Sequence, residues 1–219
     1  MNAEETVRTA ATPQAIHHRR TLEVRRLTMA AMLGAVAFAL MYFNFSIPVI
    51  SLFAEFDLSA LPELLGGFIL GPLGAVLIVL VKIALILVFK GTTSMFTGEV
   101  QNFLLSMAYV LPAVFYYRRH RTKKGALVGL LLGSVCSIVV AIFTNLFLIF
   151  PAYIYLSTGQ LSWDNIIAMC NEVNPWIKDI PTFAAFSVVP FNIISRTITS
   201  VLAFITYKKI SVPLKKLIQ

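Results

Sequence analysis

Long apolar runs recur along this chain, among them PLGAVLIVLVKIALILVF (72–89) and GALVGLLLGSVCSIVVAIF (125–143). A helix rises 1.5 Å per residue, so about 20 such residues cross the roughly 30 Å hydrocarbon core of a bilayer. The 219 residues are 58% hydrophobic and 13% charged. A soluble domain averages about 45–50% apolar and about 25% charged, so the outer surface of this chain is built to meet lipid. In lipid every backbone polar group needs an internal partner, which leaves helices and closed barrels. Continuous apolar runs, rather than alternating ones, select helices. The expected fold is all-α: one polytopic membrane domain with six transmembrane helices.

Glycine and proline set the divisions. The first helix runs from Leu27 to Phe45, and a loop with Pro48 follows from Ser46 to Asp57. The stretch from Leu58 to Phe89 is too long for one span. Gly71-Pro72 breaks it, because proline suits the first turn of a new helix. It divides into a short second helix, Leu58 to Leu70, and a third, Pro72 to Phe89. Lys90 to Thr97 reads as a polar loop. The fourth helix is expected from Gly98 to Tyr117, the fifth from Gly125 to Phe150 and the sixth from Thr182 to Tyr207. Pro151 to Pro181 reads as a long connecting segment. Residues 1–24 are expected as a disordered basic tail, 25–210 as the membrane domain and 211–219 as a second tail.

The net charge is +8. Five basic residues fall between Arg8 and Arg26, five between Arg118 and Lys124, and four between Lys208 and Lys216. Each cluster abuts an apolar run, which is the positive-inside pattern of cytoplasmic loops. Both termini are therefore expected inside. No aromatic-basic motif joins the clusters, so nucleic acid is not an expected partner. Cys136 and Cys170 have no metal-ligand companions at usable spacing, and neither a disulfide nor a metal site is expected.

A few polar residues interrupt the apolar runs. Lys82 sits mid-helix, where a lysine costs about 2.5–3.5 kcal/mol. It either faces a cavity or partner, or snorkels outward. Asn192, Ser195, Arg196 and Ser200 form a stripe on the sixth helix, and guanidinium suits an anionic ligand. The alternative for Arg196 is a structural ion pair with Glu99. Glu99 and Asn102 open the fourth helix, where an acid also suits the helix dipole. Thr92, Thr93 and Ser94 precede it as ligand contacts or caps. Asn145 lies deep in the fifth helix and needs a partner. Ala31, Ala35 and Ala39 share one face of the first helix, a spacing that lets another helix approach closely. No phosphate loop, zinc-protease motif or nucleophile elbow occurs. Neither catalysis nor a cofactor is expected.

The runs EFDLSALPELLGGFILGPLGAV, GTTSMFTGEVQNF and PFNIISRTI resemble the substrate-binding S components of energy-coupling factor (ECF) vitamin transporters, over residues 25–209. The resemblance implies a six-helix subunit with a vitamin pocket near the outer face. It implies a membrane T component and two ATP-binding subunits as partners. In this reading Ala31, Ala35 and Ala39 dock on the T component. Asn145, Asn192, Arg196, Lys82, Thr93, Glu99, Asn102 and Asp57 are the candidate substrate-binding residues. The TTSMFTGEVQNF segment resembles pantothenate members, and Arg196 or Lys82 would meet that acid's carboxylate. Pantothenate is the expected substrate. Riboflavin is the alternative, since Asn145 and Asn192 match asparagines of riboflavin members, although Ser195 stands where those carry lysine. A stand-alone secondary carrier using Lys82 and Glu99 as relay groups is the alternative of a different class, though the paired broken helices of such carriers are not evident.

Overall fold

The computed structural model describes residues 13–48, 51–92 and 94–216, and side chains within 21–207. Helix α1 spans Pro13–Tyr42. Strands β1 (Phe45–Ile47) and β2 (Ser51–Phe56) form an antiparallel hairpin. Helices α2 (Ala60–Leu70), α3 (Pro72–Phe89) and α4 (Thr97–Arg119) follow. Helix α5 begins as Lys123–Thr144, passes through a π-helical turn at Asn145–Ile149 and ends as Phe150–Leu156. Helix α6 is Trp163–Val173. Helix α7 begins as Ile180–Phe183, passes a second π-helical turn at Ala184–Val188 and continues as Val189–Lys216. Five of these helices are long and apolar enough to cross a membrane, and α2 is shorter.

Several expectations need correction. The fold is mostly helical, not all-α, because the expected loop from Ser46 to Asp57 folds back as the β1–β2 hairpin. Helix α1 takes in residues 13–24, which the sequence places in a disordered tail. Residues 1–12 and 217–219 lie outside the described residues. The expected connection from Pro151 to Pro181 is largely helical. Helix α5 continues through Pro151, and α6 is capped by the Ser162 hydroxyl, which accepts from the Asn165 N–H at 3.2 Å. Cys170 accordingly sits on a helix rather than in a loop.

A proline follows each of the π-helical turns in α5 and α7, whereas Pro112 sits within the regular helix α4. A proline ring clashes with the carbonyl four residues back, and proline has no N–H to donate. Pro151 lies two residues after the first π-helical turn and Pro190 two residues after the second. In each case the carbonyl that the ring would strike lies inside the widened turn. The extra residue accommodates the ring, and the helix runs on instead of ending.

On α5 the packing turns a row of small residues inward and a row of large ones outward, as suits a lipid-facing bundle. On α5, Gly125, Gly129, Gly133, Ser137 and Ala141 are buried at four-residue intervals. Leu127, Leu131, Val135, Val139 and Phe143, two residues away and so across the helix, are exposed. A Cβ at Gly129 would lie 2.7 Å from the Ala113 carbonyl oxygen, and one at Gly133 would lie 2.2 Å from that of Tyr109. The glycines let α4 and α5 touch backbone to backbone. On α1 the small residues divide. Ala30, Gly34 and Ala37 are buried, and a Cβ at Gly34 would strike Val81 of α3. Ala31, Ala35 and Ala39 are exposed. Intramolecular packing thus accounts for one small-residue face of α1 and leaves the other open.

At the Gly71 turn the backbone has φ +89°, which glycine tolerates, and Pro72 starts α3. The turn and the basic segment 118–124 share one end of the bundle, where a Cβ on Gly71 would meet the Arg118 guanidinium. The hairpin and the 90–97 connection lie at the other end.

Replacing Gly133 by leucine should force α4 and α5 apart. The expected cost of about 2–3 kcal/mol corresponds to a thermal midpoint lower by roughly 5–10 °C in detergent. Leu131→Ala, on the exposed face of the same helix, should change the midpoint by less than about 2 °C.

Candidate functional site

A cavity of about 530 Å³ opens at the hairpin end of the bundle. Its walls come from the hairpin, from the junctions α2 makes with β2 and α3 with α4, and from the two helices that carry π-helical turns. Asp57, Glu99, Asn102, Asn145, Asn192 and Arg196 all line it. These are six of the eight predicted substrate-binding residues, gathered from four separate parts of the chain. Of the other two, Lys82 stands behind the wall, and Thr93 lies outside the described residues.

Lys82 is fully buried and forms an ion pair with Glu63 of α2, which is also fully buried. Its ammonium donates to the Asn102 Oδ1 at 2.6 Å, the Ser59 Oγ at 3.2 Å and the Ser106 Oγ at 3.3 Å. Asn102, Ser59 and Ser106 line the cavity. Lys82 therefore does not snorkel, and its charge is met by an internal partner. The pair joins α2, α3 and α4 directly beneath the wall.

Arg196 has no ion pair with Glu99. Its guanidinium carbon lies 4.8 Å from the centre of the Tyr109 ring, a cation–π contact that suits a cation removed from water. The Tyr109 hydroxyl in turn hydrogen-bonds Ser200 at 2.6 Å. The Arg196 Nε is buried without a hydrogen-bond partner among the described residues. Glu99 accepts from the hydroxyls of Thr92 and Ser94, both at 3.1 Å, and so holds the connection into α4. The Asp57 carboxylate accepts from the Ser59 N–H at 2.6 Å and shapes the start of α2.

The two asparagines sit beside the π-helical turns. The Asn145 amide donates to the Ala141 carbonyl at 2.7 Å, and that of Asn192 to the Val188 carbonyl at 2.9 Å. Each side chain is fixed by its own helix. Phe53, Phe150, Tyr153, Phe183 and Phe191 supply aromatic lining. The cavity can hold a flat ring between apolar walls and meet polar edges with carboxamides and hydroxyls. The formal charges of its lining are three acids, Glu55, Asp57 and Glu99, and two bases, Lys90 and Arg196.

Sequence reasoning missed Glu63, Ser59, Ser106, Tyr109 and Gln101. A signal for Glu63 was present. It lies eight residues before Gly71 and Lys82 lies eleven after, on antiparallel helices joined by a tight turn. Opposite charges at nearly the same depth in two apolar helices find each other.

Residues 25–207 match the family model for the substrate-specific component of ECF transporters. The riboflavin transporter FmnP of Bacillus subtilis (strain 168) is 26% identical over 190 residues, covering 86% of this chain and 93% of the relative. The riboflavin transporter RibU of Staphylococcus aureus (strain TCH60) is 28% identical over 193 residues, covering 88% and 94%. A solved structure described as the S component of a bacterial ECF transporter superposes with a TM-score of 0.67 at 26% identity. The match covers 88% of this chain and 99% of that one.

Lys82→Met should leave the Glu63 charge buried and alone, at a cost of about 3–5 kcal/mol. The thermal midpoint in detergent should fall by roughly 10 °C or more. The double variant Lys82→Met/Glu63→Leu should recover most of that loss. A double variant as unstable as the single one would contradict the assignment.

Proposed function

The chain belongs to the family of ECF transporter substrate-specific components, and from that premise we propose that its cavity captures riboflavin for import. Proteins of this family are substrate-binding subunits of transporters and not enzymes. The five long apolar helices accord with a multi-pass protein of the cell membrane. The family implies a T component and ATP-binding subunits as partners.

The choice of vitamin departs from the expectation of pantothenate. The relatives named above are riboflavin transporters. The observation that carries the choice within this chain is the cavity lining. Pantothenate needs a cation for its carboxylate, and one of the two cations proposed for it, Lys82, is already neutralised by Glu63. Arg196 remains, in a lining where acids outnumber bases. An uncharged vitamin with a flat tricyclic ring and a hydroxylated chain fits the aromatic walls and the ring of carboxamides better. Asn102, Asn145 and Asn192 offer polar contacts, and Arg196 offers a donor to a ring carbonyl.

In this reading the chain crosses the membrane six times, α2 included, with both termini inside. The basic clusters then face the cytoplasm and the cavity opens outward, where a scavenged vitamin arrives. The exposed Ala31, Ala35 and Ala39 face of α1 docks the T component.

The test is uptake of labelled riboflavin by liposomes holding this chain with and without a T component and its ATPases. Uptake should require all subunits and ATP. Uptake by the chain alone that an uncoupler abolishes would favour a secondary carrier instead. Ala35→Trp should reduce co-purification with the T component at least about tenfold, since one bulky side chain blocks close helix approach. Its riboflavin affinity should stay within about twofold of wild type.

A further inference from the structure

Gln101 is a polar side chain of the cavity wall without a role in the free protein. Both the Oε1 and the Nε2 of its carboxamide are buried, and neither meets a hydrogen-bond partner among the described residues. Buried polar groups in folded proteins are nearly always paired, so a carboxamide with both ends idle calls for an explanation. Its neighbour Asn102 is already held by Lys82 at 2.6 Å. Gln101 lies one turn before Leu105 on the same face of α4. The Leu105 carbonyl accepts from the Ser137 hydroxyl of α5 at 3.5 Å. That face of α4 therefore looks towards α5, the helix that brings Asn145 to the cavity. Gln101 lines the same cavity.

We propose that Gln101 is a specificity-determining ligand contact whose carboxamide turns into the cavity and pairs with the edge of a cyclic amide or imide. The ring N–H donates to Oε1, and the adjacent ring carbonyl accepts from Nε2. This deepens the riboflavin reading and rests on it. A carboxamide carries one acceptor and one donor side by side. A ring amide is held cis and presents the complementary pair on one edge, as the flavin does at N3–H and its flanking carbonyls. The open-chain amide of pantothenate is trans, so its N–H and C=O point in opposite directions and satisfy only one end of Gln101. A site that leaves a buried polar group unpaired rejects the ligand that fails to pair it.

The experiment compares riboflavin with 3-methylriboflavin by calorimetry, using the purified full chain in detergent, for wild type and Gln101→Leu. N3 methylation should weaken binding to wild type about tenfold or more, and Gln101→Leu should weaken riboflavin by a similar factor. The variant should bind the two flavins within about twofold of each other. An equal methyl penalty in both proteins, or unchanged riboflavin affinity in the variant, overturns the proposal. If Gln101→Leu does not fold, Gln101→Met serves in its place. The thermal midpoint of the ligand-free variant should be equal to or above that of wild type, because an unpaired amide is removed. A lower midpoint would reveal a structural partner and also overturn it. Failure of wild type to bind riboflavin at all would instead contradict the proposed function.

Discussion

The buried contact between Lys82 and Glu63 sets the arrangement of the ligand end of the bundle. A lone ammonium or carboxylate at that depth is strongly unfavourable, and neither residue has any exposed surface. The pair resolves both charges at once and fixes the relative depth of α2, α3 and α4. It also reaches beyond itself, because the three hydroxyl and amide groups that complete the ammonium's shell form part of the cavity wall. The cavity is thus shaped in part by a charge pair that does not itself line it. One Glu63 oxygen, Oε2, has no hydrogen-bond partner among the described residues. The network is therefore not fully satisfied.

Around this centre the bundle follows the physics of helices in lipid. With no hydrophobic drive between helices, close packing of small residues takes its place. The glycine ladder of α5 against the α4 backbone is the clearest case. The two proline-linked π-helical turns are the exceptions to regularity, and both lie at the cavity. Asn145 opens the first such turn, and Asn192 donates back to the last residue of the second. Widened turns displace side chains that a regular helix would place elsewhere. Two prolines that look like helix breakers thus sit inside continuous helices beside these two carboxamides.

Much of this was legible from residue order. The bounds of α3 were readable in full, because Gly71-Pro72 and Lys90 mark both ends of one apolar run. The stripe on α7 was legible from four-residue spacing, and Ser200 and Arg196 indeed meet Tyr109. Three features were not legible. The hairpin was hidden because Phe45–Ile47 and Ser51–Phe56 are short and flank Pro48, which reads as a plain loop. The passage of α5 through Pro151 was hidden because proline reads as a helix breaker, and the widened turn before it shows only in the fold. The idle carboxamide of Gln101 was hidden because partners, unlike spacing, are a property of the folded chain. The proposed reading departs from the expected pantothenate for a related reason. By residue order Lys82 is an available cation, and only the fold shows its ion pair with Glu63.

The central claim is that this chain alone, without its energising partners, holds riboflavin in the cavity between the hairpin and the two proline-linked helices. Titration of riboflavin fluorescence with the purified chain in detergent measures this directly. The account predicts saturable quenching at equimolar protein, since ring stacking on aromatic side chains quenches flavin emission, and no reversal by a large excess of pantothenate. Absence of quenching, or displacement of the flavin by pantothenate, would contradict it.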